Sequence, residues 1–73
     1  MCKFKAIQIV EKKLSEFDCK VIDYSLNDGT LKIKYKSFYG LEYEMIINYR
    51  YFTPERLNAK IIAEVMKWIE VKV

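Results

Sequence analysis

Apolar residues recur at intervals of three and four over the first seventeen positions: Phe4, Ile7, Val10, Leu14 and Phe17. That is the helical period, and it predicts a first helix over 3–17 with one apolar stripe. The helix has no Ser, Thr, Asp or Asn cap and carries Lys3 and Lys5 at its positive end, so its first turn is expected to fray. From Cys19 to Leu26 the period becomes two, with Ile22, Tyr24 and Leu26 alternating against Val21, Asp23 and Ser25. The run closes on Asn27-Asp28-Gly29-Thr30. Asp-Gly between two alternating segments signals a two-residue hairpin, because a type I′ turn needs positive φ at both central positions. In that register Asn27 faces Thr30, Leu26 faces Leu31, Tyr24 faces Ile33 and Ile22 faces Tyr35, while Asp23 falls opposite Lys34.

The second strand, 30–37, puts Leu31, Ile33 and Tyr35 on one face and Lys32, Lys34 and Lys36 on the other. A third, from Leu41 to about Tyr51, turns Leu41, Tyr43, Met45, Ile47, Tyr49 and Tyr51 toward the same core and Glu42, Glu44, Ile46, Asn48 and Arg50 away from it. Phe38-Tyr39-Gly40 fits a three-residue loop with Gly in the left-handed region, setting Lys36 against Glu42 and Lys34 against Glu44. Thr53-Pro54-Glu55 supplies a cap, a proline at the first helical position and an acid in the first turn, so a second helix runs from there to about Glu70. Its apolar residues Leu57, Ile61, Ile62, Val65, Met66, Trp68 and Ile69 span more than half the circumference, wider than one sheet covers, and the first helix is the expected cover. The expected fold is therefore α+β: a single compact domain over 1–73, an α-β-β-β-α two-layer sandwich whose three-stranded antiparallel meander carries both helices on one face.

With 73 residues, 52% of them apolar and 15% aromatic, the chain has the composition of a folded domain and not of a disordered one. Thirteen Lys and Arg against ten Asp and Glu leave +3, too little to imply nucleic acid without clustering. The absence of histidine removes the commonest general base and the imidazole metal ligand together. No apolar run exceeds a few residues, so neither a secretory leader nor a membrane partner is expected, and the chain reads as cytoplasmic. Cys2 and Cys19 flank a helix that holds them roughly 20 Å apart, beyond disulfide reach. Cys19 is then a small apolar residue and Cys2 an exposed thiol, as a reducing compartment allows.

Three groupings bear on function. Lys32, Lys34 and Lys36, about 7 Å apart along a strand, could follow phosphates. Glu42, Glu44 and Asp23 stand beside them, however, and most tyrosines fall on the opposite face, so a solvated face with cross-strand ion pairs is the preferred reading. Asp28, Glu42 and Glu44 resemble the carboxylates that compact nucleases set on neighbouring strands for Mg²⁺, but no lysine follows Glu42-Tyr43-Glu44 in the required place and Asp28 sits at the far end of its hairpin. No catalytic residue, metal or cofactor is expected. The third grouping is apolar and outward-facing: Val21, Ile46, Phe38 and Tyr39.

Asn27-Asp28-Gly29 and Thr53-Pro54-Glu55-Arg56 stand where double-stranded-RNA-binding domains carry a Gly-Pro-x-His loop and a Lys-Lys-x-Ala-Lys helix start. The order α-β-β-β-α resembles that family in topology over the whole chain, and no RNA-binding residue carries over. The reading reached is a small non-enzymatic interaction protein, an inhibitor or adaptor of the kind phages and mobile elements encode, that meets a larger protein or nucleoprotein. Phe38, Tyr39 and Ile46, with Glu42 and Glu44, are its expected partner-binding residues, and the long edge of strand 3 is a route to a homodimer. The alternative is nucleic-acid binding through Lys32, Lys34 and Lys36, or through Lys12, Lys13 and Lys20 where the first helix meets the first strand.

Overall fold

The computed structural model describes the backbone over residues 1–72 and side chains over 1–69. Helix α1 (Lys3–Glu16) leads into strands β1 (Lys20–Asn27), β2 (Thr30–Lys36) and β3 (Glu42–Ile47), then a 3₁₀ turn over Tyr49–Tyr51 and helix α2 (Pro54–Lys72). The sheet is an antiparallel meander in the order β1-β2-β3. Ala6, Val10 and Leu14 of α1 and Leu57, Ile61, Val65 and Trp68 of α2 bury against Leu31, Ile33, Tyr35, Met45 and Ile47. Lys32, Lys34, Lys36, Glu42, Glu44 and Ile46 are all exposed on the opposite face. This is the α-β-β-β-α sandwich that the sequence predicts.

Both hairpins form in the expected register at their turns, the first as far as Asp23↔Lys34. Asp28 (φ 44°) and Gly29 (φ 87°) are both left-handed, as a type I′ turn demands, and Asn27 pairs with Thr30. Gly40 (φ 90°) closes the second loop, and Lys36 pairs with Glu42 and Lys34 with Glu44. Thr53 caps α2 by accepting from the Arg56 N–H at 3.3 Å. Helix α1 ends in a Schellman arrangement, with the Cys19 N–H donating to Leu14 O at 2.9 Å and the Asp18 N–H to Ser15 O at 3.1 Å, and Asp18 holds the left-handed position at φ 58°.

The structure corrects the sequence reading in three places. Pairing of β1 with β2 follows the expected register as far as Asp23↔Lys34, after which a bulge puts Val21, not Ile22, opposite Tyr35. Cys19 is buried and Val21 packs on the core, so the inward residues at the start of β1 are odd-numbered, whereas Tyr24 and Leu26 share the inner face from the turn end. One extra residue reconciles the two parities, and Ile22 is left exposed. In α1 the buried row is Ala6, Val10 and Leu14, at steps of four, with Ile7 and Phe17 beside it. Phe4 lies about 200° round the helix from Ala6 and is exposed.

Strand β3 is also shorter than its alternation suggests. The last pair is Leu31↔Ile47; β2 begins only one residue beyond Leu31, at Thr30, so residues past Asn48 have no strand to pair with. Backbone bonding then becomes local, with Tyr51 N–H to Asn48 O at 3.2 Å and Phe52 N–H to Tyr49 O at 3.3 Å. Tyr49 stays buried in this turn, while Tyr51 at one end of the run and Leu41 at the other are exposed. The turn also lays Arg50 over the hairpin: its Nη2 lies 3.8 Å from Asp28 Oδ1, and a Cβ built on Gly29 would come within 3.0 Å of its side chain.

Gly29→Val puts a β-branched residue at positive φ, and is expected to destabilise the fold by more than about 1 kcal/mol. Thermal melting checks this; an unchanged midpoint contradicts the turn assignment.

Candidate functional site

Because α2 starts beyond the far end of β3, it must run back across the sheet. From Leu57 to Trp68 it travels about 16 Å, against about 13 Å of strand from Ile47 to Tyr43. Trp68 therefore arrives at the end of the sheet where the β2–β3 loop emerges. There its indole N–H donates to the Tyr35 hydroxyl at 3.0 Å, a buried bond joining the two layers. Its ring stacks on Tyr43 (5.0 Å, 11°), and Tyr39 meets it edge-on at 5.5 Å. Phe38 lies 6.1 Å from the indole and packs edge-to-face on Tyr39 at 4.7 Å, while Tyr43 stacks on Tyr35 at 5.8 Å. Five rings thus form one cluster around Trp68.

Ser37 fixes the loop that presents it. Its N–H donates to Leu41 O at 2.8 Å, its carbonyl accepts from Gly40 N–H at 3.0 Å, and its buried hydroxyl accepts from Leu41 N–H at 3.2 Å. From this fixed loop Phe38 and Leu41 project, 62% and 45% exposed. Tyr39 is also exposed, though less so than either, with its ring against the cluster and its hydroxyl 3.2 Å from that of Tyr43. Loss of water around the ring, and then the Tyr43 hydroxyl, hold the Tyr39 phenol above its usual range.

Of the expected partner-binding residues, Phe38 and Tyr39 are thus brought together, and Glu42 starts the strand beside them. Ile46 is not with them; it sits on the outer face opposite Lys32. Tyr43 and Trp68, which sequence patterning assigns simply to the core, form the base of the cluster. The distance α2 travels back along the sheet is the signal that could have placed Trp68 there.

The outer face reads in rows: Ser25, Lys32 and Ile46; Asp23, Lys34 and Glu44; Lys20, Lys36 and, on β3, Glu42. The cations are interleaved with carboxylates, and Lys32 Nζ lies 3.5 Å from Glu44 Oε1. Lys20 is set against Lys36, while Lys12 and Lys13 line a groove of about 360 Å³ with Lys5 and Pro54, between α1 and the start of α2. Lys13 is engaged by Glu16 at 3.1 Å. The groove thus takes Lys12 and Lys13 without Lys20, so these three cations belong to two surfaces. Asp28 faces Arg50 at the opposite end of the sheet from Glu42. Among the described residues no group of three or more Cys, Asp or Glu is placed to hold a metal ion, and no helix is long and apolar enough to cross a membrane. No protein-family model, curated protein or solved structure matches the chain.

Cys2 is an exposed free thiol and Cys19 a buried one. Burial, then the charge of Asp18, raises the Cys19 thiol above 9.0, and burial raises the Tyr35 phenol above 10.0 against the opposing effect of its bond from Trp68. The folded chain therefore keeps both protons to higher pH than the unfolded chain does, so stability is fully present below about pH 9 and falls as pH rises beyond it. Unfolding measured between about pH 8 and about pH 10.5 is expected to show this fall, shallower in Cys19→Ala and in Tyr35→Phe. A flat profile contradicts the burial of the two groups.

Proposed function

We propose that the chain is a non-enzymatic interaction protein, an inhibitor or adaptor, that binds a larger protein through the loop over Trp68, with Phe38, Tyr39 and Leu41 at the centre of the contact. The observation that carries this reading is the exposure of Phe38 and Leu41 on a loop fixed from both sides, by Ser37 beneath and by the aromatic cluster behind. Aromatic side chains dominate binding energy when desolvated, and groups already held in place lose little entropy on docking. Lys36 and Glu42 flank the loop as rim charges, which affect association rate more than residence time. Ile46 is a separate, solitary apolar position on the charged face. The missing histidine and the dispersed carboxylates support a role without catalysis. Two free thiols, one of them exposed, suit a reducing compartment such as the cytoplasm.

Site-specific photocrosslinking in the native host tests this reading, with the photoreactive residue at position 38 or 41 and, on the outer face, at position 34. A discrete protein adduct is expected from 38 and 41, lost when Tyr39→Ala is added, and none from 34. Adducts only from 34, and to nucleic acid, would support the lysine face instead.

A further inference from the structure

Strand β1 is an edge strand whose inner face retains exposed apolar surface. Tyr24 and Leu26 lie opposite the buried Ile33 and Leu31, on the side that carries the helices, yet are 49% and 37% exposed. The inward residues of the other edge strand, Met45 and Ile47, are 2% and 0% exposed. The helices cover the β3 side of the inner face and leave the turn end of β1 open.

Two observations fix which backbone groups of β1 face outward. The pair flanking a two-residue turn, here Asn27 and Thr30, is a hydrogen-bonded one. Independently, the Ser37 N–H bond to Leu41 assigns the odd-numbered residues of β2 to β3, and so the even-numbered ones to β1. Asn27, Ser25 and Asp23 therefore direct their backbone groups to β2, and Tyr24 and Leu26 direct theirs to the open edge. The Tyr24 N–H is in fact satisfied locally, donating to Oδ1 of its own neighbour Asp23 at 2.9 Å.

We propose that a second copy of this chain adds to that edge, antiparallel and about a two-fold axis at Ser25, joining two three-stranded sheets into one. In this register Tyr24 faces Leu26 of the second copy, and the reverse pair repeats it. Both residues present outward groups, so each of the two equivalent pairs exchanges two backbone hydrogen bonds. Tyr24 and Leu26 cover each other on the inner face, Ser25 meets its own equivalent on the outer face, and Asp23 falls beside Asn27. No like charges are placed opposite one another. The regular stretch from Asp23 to Asn27 suffices, and the bulge at Ile22 lies outside it. Strand β3 offers less: its outward groups belong to Glu42, Glu44 and Ile46, so symmetric pairing brings the glutamates of two copies close together, and its inner face is already buried. Asp23 opposes the association, since its carboxylate must release the Tyr24 N–H first, which is a means of restraining an exposed edge.

This proposal does not depend on the loop contact proposed above, since that loop lies at the other end of β2. So short a contact is weak, and the test is sedimentation together with amide exchange by NMR from about 10 µM to about 1 mM. The expected result is a monomer–dimer equilibrium in which the Tyr24 and Leu26 amides gain protection with concentration while those of Glu44 and Ile46 do not. Leu26→Lys should abolish the dimer with an unchanged circular dichroism spectrum, Asp23→Ala should tighten it several-fold, and Ile46→Lys should leave it intact. A monomer at the highest concentration, a dimer that survives Leu26→Lys, a dimer lost with Ile46→Lys, or weaker association of Asp23→Ala would each overturn the proposal.

Discussion

A type I′ turn at Asp28-Gly29 admits one residue pairing at its base, Asn27 with Thr30, and the two-residue period of a strand turns that pairing into a face for every side chain of β2. Leu31, Ile33 and Tyr35 are committed to the core and Lys32, Lys34 and Lys36 to solvent. A slip by one residue would bury three ammonium groups, at a cost no small core could offset. The Ser37–Gly40 loop then transfers the same assignment to β3, placing Met45 and Ile47 under the helices and Glu42 and Glu44 beside the lysines.

From that register come two surfaces of different chemistry. The outer face mixes lysines with carboxylates: Lys32 reaches Glu44 and Asp23 stands across from Lys34, while Lys20 is set against Lys36. Exposed pairs of this kind add little stability, but carboxylates so placed weaken the field that phosphates would need. At the loop end, the bond from Trp68 to Tyr35 draws α2 onto the sheet and seats four other rings about the indole, so the loop carries Phe38 and Leu41 on a fixed base. The lysines are the more conspicuous feature of the sequence, yet the proposed contact lies at the aromatic end.

The features legible in the sequence are those decided locally. Asp-Gly, the Gly40 loop, the Thr53-Pro54 cap and the alternation of β2 each depend on a few adjacent residues. What escaped depends on where a distant neighbour stops or lies. Strand β3 stops at Ile47, within a residue of where β2 begins, although its alternation continues to Tyr51. The bulge in β1 arises from a parity mismatch between Val21, packed on the core below α1, and Tyr24, fixed from the turn, and neither shows it alone. Ala6 carries too little hydrophobic signal to outrank Phe4, and the ring cluster exists only because the length of α2 matches that of the sheet. In each case periodicity identified the element, and packing decided its end or its face.

If the chain works through the aromatic loop, as proposed, the lysine face, largely offset by Asp23, Glu42 and Glu44, does not carry the function. Salt titration of binding to duplex DNA and to single- and double-stranded RNA, for the native chain and for the combined Lys32→Ala, Lys34→Ala and Lys36→Ala variant, tests it most directly, since every phosphate neutralised steepens the salt slope by about one. The expected result is weak binding at low salt, with a shallow slope that the triple variant barely changes. Tight binding with a slope of about three or more, lost in the triple variant, would contradict it.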